Sequence, residues 1–250
     1  MGKLNGLLQI TGSFDGLSFY TVRGQIVVRK TGGFTGTAIK NGSQYVRVRE
    51  NSCEFAQSAR AGKAFRDRVG VPLKQLAIPY VHNRVVALFQ ALTRLDPVHA
   101  RGSRTVMAGL QTAEGQQLVR SFAFDPAHGT AAVLLFACRV VVSLGLLECP
   151  AFDPSAFSPP PSASHVGVQL LLVGLGPSAT GGAVREESDC PLYALGRPLA
   201  GVSPLVLRAS VPDCPVVFGL LRVVYYQSVN GTLYRVAGGG LQITDVVVSG

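Results

Sequence analysis

The sequence predicts an α+β fold, mainly β, in which N-terminal strands and two or three helices precede an immunoglobulin-like antiparallel β-sandwich. Three observations lead there. Apolar positions recur every three or four residues between Val46 and Leu95, whereas the first 33 residues and the chain from Asp125 onward consist of short runs of β-formers. Turn residues separate the β-like runs at regular spacing. The 250 residues include 29 Gly and 15 Pro, and 47% are hydrophobic against 15% charged, which favours a buried core of strands joined by tight turns over disorder or an all-helical chain. Two domains are expected: residues 1–125, a basic β-hairpin plus helical domain, and residues 126–250, the β-sandwich.

The opening strands are Leu7–Thr11, Gly16–Val22 and Gln25–Lys30, separated by Gly12-Ser13-Phe14-Asp15-Gly16 and by Arg23-Gly24. A ribbon this small carries too little apolar surface to stand alone. The glycine-rich connector Thr31–Gly36 lacks the Gly-Lys-Ser/Thr of a phosphate loop and reads as a link. From Val46 to Val69, Phe55, Ala59, Gly62, Phe65 or Arg66, and Val69 share one helical face, and Gly70 is placed to stop the helix. Tyr80, Val81, Val85, Leu88, Phe89 and Leu92 define a second helix ending near Leu95-Asp96-Pro97. The two helices are expected to pack together over one side of the N-terminal strands. Thr112–Arg120 reads as a short helix weakened by Gly115, and Asp125-Pro126 marks the domain boundary.

Eight strands follow: Ala131–Phe136, Arg139–Leu146, Val166–Val173, Ala183–Glu187, Pro204–Ala209, Val216–Gln227, Thr232–Val236 and Leu241–Val248. Asn230-Gly231 between Tyr226 and Tyr234 is the strongest local signal, a type I′ hairpin turn. The tryptophan typical of immunoglobulin domains is missing, since the chain has none.

Charge is unevenly placed. Met1–Phe124 holds 17 Lys and Arg against 6 Asp and Glu (+11), and Asp125–Gly250 holds 6 against 8 (−2). The basic half suits an anionic partner such as nucleic acid, or equally a solvated helical face. Cys53, Cys138, Cys149, Cys190 and Cys214 form no C-x-x-C pair, which argues against a metal site and leaves room for one disulfide among the last four. Three precede proline. A thiolate haem ligand occurs in such dipeptides, but X-Pro also places the preceding residue in extended backbone, and we read these as strand ends.

The first ten residues form no signal peptide, so cytoplasmic synthesis is expected, with any exit from the cell by a non-classical route. Ala131–Leu147 is interrupted by Arg139 and reads as two buried strands, not a membrane span.

No reaction is spelled out. Gly174-Leu175-Gly176-Pro177-Ser178-Ala179 matches a dinucleotide fingerprint, but Thr180-Gly181-Gly182 follows where a helix must begin. His82, His99, His128 and His165 are scattered, and Glu186, Glu187 and Asp189 lack the spacing of a calcium loop. No catalytic residue, metal or cofactor is expected.

Ile10-Thr11-Gly12, Gly16–Tyr20, Val28-Arg29-Lys30, Arg47–Asn51, Ala61-Gly62-Lys63, Arg101–Arg104 and Phe122–Asp125 resemble an uncharacterised bacterial family of proteins of about this size. The resemblance covers the first half, and no assigned activity comes with it, hence no catalytic residues. The expectation is a non-enzymatic structural subunit that self-assembles by strand addition and head-to-tail contact into a filament, tube, surface appendage or virion-like particle. Phe14, Phe19, Tyr20, Val22, Val27 and Arg29 are the expected assembly interface. The alternative is a nucleic-acid-binding protein that uses residues 46–69, with Arg47, Arg49, Arg60, Lys63, Arg66 and Arg68 on the anion.

Overall fold

The computed structural model describes residues 2–4, 11–31, 35–125, 138–154, 159–176, 184–195 and 203–249. The expected strands Ala131–Phe136 and, apart from Thr11, Leu7–Thr11 lie outside the described residues, as does His128. The fold is α+β, and every strand pairing among the described residues is antiparallel. Two compact units emerge, Met1–Arg49 and Glu50–Gly250, where the sequence places a boundary near residue 125.

The first unit is a four-stranded sheet of β1 (Gly2–Leu4), β2 (Gly12–Phe14), β3 (Leu17–Val22) and β4 (Gln25–Lys30), in the order β1-β4-β3-β2. Asp15-Gly16 and Arg23-Gly24 all have positive φ (44°, 71°, 51° and 77°), the pattern of two-residue type I′ turns whose twist matches that of the strands they join. Because Asp15-Gly16 suffices for the first turn, Gly12–Phe14, expected as turn, is free to pair with β3. Helix α1 (Gly36–Asn41) is capped by the Thr35 hydroxyl, which accepts from the Ala38 N–H at 3.2 Å. Arg49 Nη1 donates to the carbonyls of Ile39 and Gly42 at 2.7 and 2.8 Å, satisfying acceptors around the end of that helix.

In the second unit the helices are α2 (Val46–Val69, from Glu50 on), α3 (Val71–Gln75), α4 (Val81–Arg94), α5 (Val106–Leu110) and α6 (Ala113–Arg120). The strands are β5 (Arg139–Val141), β6 (Leu146–Phe152), β7 (His165–Leu175), β8 (Val184–Glu187), β9 (Leu192–Ala194), β10 (Ser203–Arg208), β11 (Val216–Val229), β12 (Thr232–Arg235) and β13 (Gly240–Val248). The larger sheet runs β12-β11-β7-β8, with β13 also on β11 and β9 also on β7; the smaller runs β10-β6-β5.

Strands β7 and β11 are buried on both faces, which is why they read as continuous apolar runs and not as alternating ones. On one face Leu171, Val173, Leu175, Val216, Phe218 and Leu220 meet Phe65, Val69, Val85, Phe89 and Leu92 of the helices. On the other, Val168, Leu170, Leu172, Val217, Leu221 and Val223 meet Leu147, Cys149, Leu205 and Leu207 of the smaller sheet. The unit is therefore layered helix, sheet, sheet. The helices share their core with the C-terminal strands, so no boundary falls at residue 125.

Several local features follow from identifiable residues. Gly70 (φ 61°) stops α2, and Arg185 of β8 donates to the freed Val69 carbonyl at 3.1 Å. Gly109 permits α5 to touch α4, since a Cβ there would stand 1.9 Å from the Leu92 carbonyl oxygen. Asn230-Gly231 forms the expected hairpin, with φ of 50° and 78°. The single strand expected over Arg139–Leu146 is instead broken by a 3-10 turn at Val142–Leu144 and by Gly145 (φ 60°), which returns the chain as β6. This hairpin brings Cys138 beside Cys149, and the two form a disulfide with Cα atoms 4.1 Å apart. No helix among the described residues is long and apolar enough to cross a membrane.

Candidate functional site

Strand register sorts the expected assembly residues onto two faces of the first sheet. Phe14 pairs with Leu17, Leu17 with Lys30 and Phe19 with Val28, so Phe14, Leu17, Phe19 and Val28 share one face. Tyr20 pairs with Val27, Val22 with Gln25 and Ser18 with Arg29, which puts Tyr20, Val22, Val27 and Arg29 on the other. Phe14 is 77% exposed, Leu17 and Val22 are exposed, and Phe19 and Tyr20 are half-buried. Val27 is buried at 7%, so its side chain is not displayed as an interface residue. Arg29 lies over the Tyr20 ring, its guanidinium carbon 5.5 Å from the centroid, a cation–π contact that fixes the basic head on the sheet. Among the described residues β1 and β2 are the edges, each with one row of backbone N–H and C=O groups directed away from the sheet.

The six expected anion-binding residues are divided between the two units. Arg47 and Arg49 belong to the first unit, and Arg49 is spent on helix carbonyls. Arg60, Lys63, Arg66 and Arg68 belong to the second. There Lys63 is paired with Asp67 at 2.6 Å and Arg66 donates to the Gly62 carbonyl, leaving Arg60 and Arg68 as the exposed arginines of these four. Lys63 and Asp67 both stand in solvent, so Lys63→Ala is expected to change stability by no more than about 0.5 kcal/mol in a urea titration.

A polar cleft of about 600 Å³ opens between α2, α4 and the loop 96–105, lined by Asn51, Glu54, Phe55, Gln90, Arg94, Arg101 and Arg104 among others. Glu54 is buried and accepts three hydrogen bonds, from Arg104 Nε at 2.8 Å, Arg104 Nη2 at 2.9 Å and the Gly102 N–H at 2.7 Å. The Arg104 guanidinium holds its carboxyl below the usual carboxylate range against the opposing effect of burial. A carboxylate so engaged is a structural clamp and a poor general base. Beneath it the Ser58 hydroxyl donates to the Glu54 carbonyl and pairs with Thr93 Oγ1 at 2.9 Å.

Asp96 organises the loop itself. Its buried carboxylate accepts from the N–H groups of Val98, His99 and Thr105 at 2.8, 3.0 and 2.7 Å, and from His99 Nδ1 at 2.7 Å. Burial alone pushes this carboxyl up, but the N–H groups of Thr105, His99 and Val98 outweigh it and hold the group far below the ordinary range. Among the described residues no serine or cysteine is hydrogen-bonded to His99. His165 is bonded instead to the neighbouring Ser164 hydroxyl at 2.9 Å. Nor do the described residues gather three His, Cys, Asp or Glu side chains where a metal ion would sit.

Burial raises Cys190 and Cys214 above the ordinary thiol range, and Cys214 fills the space that a side chain at Gly174 would need. Gly174 thus makes room for the connection between β10 and β11.

Sequence reasoning missed Glu54, Ser58, Thr93, Asp96 and Arg104. The available signal was the i, i+4 spacing of Glu54 and Ser58 in line with Ala61 or Gly62 and Phe65, which extends the buried stripe of α2 through polar residues. No protein family, curated protein or solved structure matches the chain.

Proposed function

We propose that the protein is a non-enzymatic structural subunit that assembles with copies of itself by adding strands edge to edge through its first unit. The observation that carries this reading is the four-stranded sheet of Met1–Arg49, whose edge strand β2 ends on the exposed Phe14 and, among the described residues, has β3 on one side and no strand on the other. An exposed edge is a template for a further strand, and identical edges from two copies satisfy each other's backbone groups. The apolar side chains Phe14, Leu17 and Phe19 supply burial on one face of such a junction. The second unit serves as the body of the subunit, its packed sheets read as the immunoglobulin-like sandwich that the turn spacing suggests.

One support expected from the sequence falls away. By compact unit, Met1–Arg49 holds 7 Lys and Arg against 1 Asp (+6), and Glu50–Gly250 holds the remaining 16 against 13 (+3). Units of the same sign give no charge attraction for a head-to-tail contact, so the reading rests on the edge strands.

The full-length chain is expected to sediment as a polymer and to form regular particles in negative stain as its concentration is raised. Phe14→Lys, which places a charge at the edge, is expected to raise the critical concentration about tenfold or more. A monodisperse monomer at high concentration overturns the proposal.

The second reading, nucleic-acid binding, is favoured by the +6 charge of a unit only 49 residues long. It predicts binding that weakens steeply with added salt, and no binding at low salt removes it.

A further inference from the structure

A second polar cluster lies on the helix-facing side of the large sheet, beyond the point where the helices end. Arg222 of β11 stands opposite Gln169 of β7, and Arg235 of β12 pairs with Tyr226 four residues further along β11. Gln75, the last residue of α3, joins the two arginines. Arg222 Nη2 donates to Gln75 Oε1 at 2.6 Å, and Arg235 Nη2 donates to the Gln75 carbonyl oxygen at 3.3 Å. Arg222 Nη1 donates to Gln169 Oε1 at 2.9 Å, and Gln169 is itself held by its amide donating to the Ser188 carbonyl at 3.1 Å.

Each of these acceptors is neutral. Elsewhere in the second unit Arg101, Arg104, Arg120 and Arg185 each reach a carboxylate, whereas Arg222 and Arg235 reach none among the described residues. The Nε of Arg235 is buried without any acceptor. Arg84 Nε is also buried and unbonded, but Arg84 has no second cation sharing its anchor. Two guanidinium groups carry ten N–H donors, of which three are engaged here. Buried charge is normally paired, and a buried donor left without an acceptor costs free energy comparable to a lost hydrogen bond.

We propose that Arg222 and Arg235, anchored by Gln75 and Gln169, form a binding site for a small phosphate-type oxyanion. A tetrahedral anion against the two forks cancels the repulsion of two like charges and accepts N–H groups that the guanidinium groups present to solvent. The surroundings agree. Burial, and then the neighbouring Arg222 charge, lower the Arg235 guanidinium below its ordinary range, which is the penalty an anion would relieve. Both arginines are half-buried, so the site opens to solvent on one side. This cluster lies wholly in the second unit and is independent of the assembly reading.

The test uses the full-length chain with inorganic phosphate and phenyl phosphate as probes, against sodium chloride at equal ionic strength. Saturable thermal stabilisation by phosphate, with broadening of its ³¹P resonance, is expected. A larger effect of phenyl phosphate identifies a phosphomonoester as the source of the group, and an equal effect identifies free phosphate. Arg222→Gln and Arg235→Gln are each expected to weaken phosphate binding about tenfold or more, the loss of a charge-assisted hydrogen bond. Arg208→Gln, exposed on β10, is expected to leave it unchanged. Should Arg235→Gln fail to fold, Arg222→Lys, which keeps the charge but lacks the fork, is read in the same titration and is expected to bind more weakly. An absence of saturable phosphate-specific binding, or equal binding by the arginine variants, overturns the proposal and leaves water and solvent screening as the partners of this pair.

Discussion

Phe65→Ala is expected to cost about 3–5 kcal/mol in a urea titration, a large fraction of the stability of an ordinary domain. Phe65 of α2 is fully buried where the helical layer meets the large sheet. Its ring lies 5.0 Å from that of Phe218 on β11, edge to face, 5.7 Å from Phe89 on α4 and 6.4 Å from Phe124, stacked. Truncation removes one ring from contact with three others at once and leaves a cavity lined by parts of two layers, which the sheet is too rigid to fill. Three aromatic pairs, each worth about 0.5–1.5 kcal/mol beyond area burial, are lost with it. Phe55→Ala on the same helix serves as the control. Phe55 is 52% exposed, and the expected change is within about 0.5 kcal/mol. Equal losses at both positions would mean that the helix does not bury the face described above.

That contrast also marks how far the sequence was legible. Helix α4 lies close to where the spacing of Val85, Leu88, Phe89 and Leu92 places it, because its buried stripe is apolar except for Thr93. Helix α2 has the right length, yet its buried face runs Glu54, Ser58, Ala61, Gly62, Phe65 and Val69. A reading that counts only apolar residues selects Phe55 and Ala59 and rotates the N-terminal half by one residue. The polar members are buried because Arg104 and Thr93 satisfy them, and those partners lie 50 and 35 positions away, beyond the reach of any periodicity.

Turn chemistry is local and was readable at Arg23-Gly24 and Asn230-Gly231, since φ > 0 at both central residues is itself a demand on sequence. Which layer covers which sheet face is not local. Both β7 and β11 present apolar residues on each side, so their sequences call for two covering layers without naming them, and the charge break near residue 125 falls inside the core that the helices share with the large sheet. The candidate sites divide the same way. Phe14, Phe19, Tyr20, Val22, Val27 and Arg29 fall within one short stretch of sequence, whereas Arg222, Arg235 and Gln75 come from three elements joined only by the fold.

Asp96→Ala is expected to destabilise the second unit by about 3 kcal/mol or more at neutral pH. The chain between α4 and α5 has no regular structure of its own from Asp96 to Thr105, and one side chain holds it. The Asp96 carboxylate takes three backbone N–H groups, the His99 ring and, at 3.3 Å, the Thr105 hydroxyl. Alanine leaves all of these donors without their acceptor at a position closed to water, and it releases Thr105, whose hydroxyl caps α5 through the Ala108 N–H.

Asp96→Asn separates shape from charge, since the amide keeps one acceptor oxygen but cannot serve the same set of donors. The folded carboxyl titrates well below its ordinary value of 3.8, so its contribution is present above that value and is lost as pH falls toward the folded one. The gap in stability between wild type and Asp96→Asn should therefore narrow progressively as pH falls below about 4. A gap that stays the same width on acidification would mean that the loop is held by its packing and not by the ionised carboxylate.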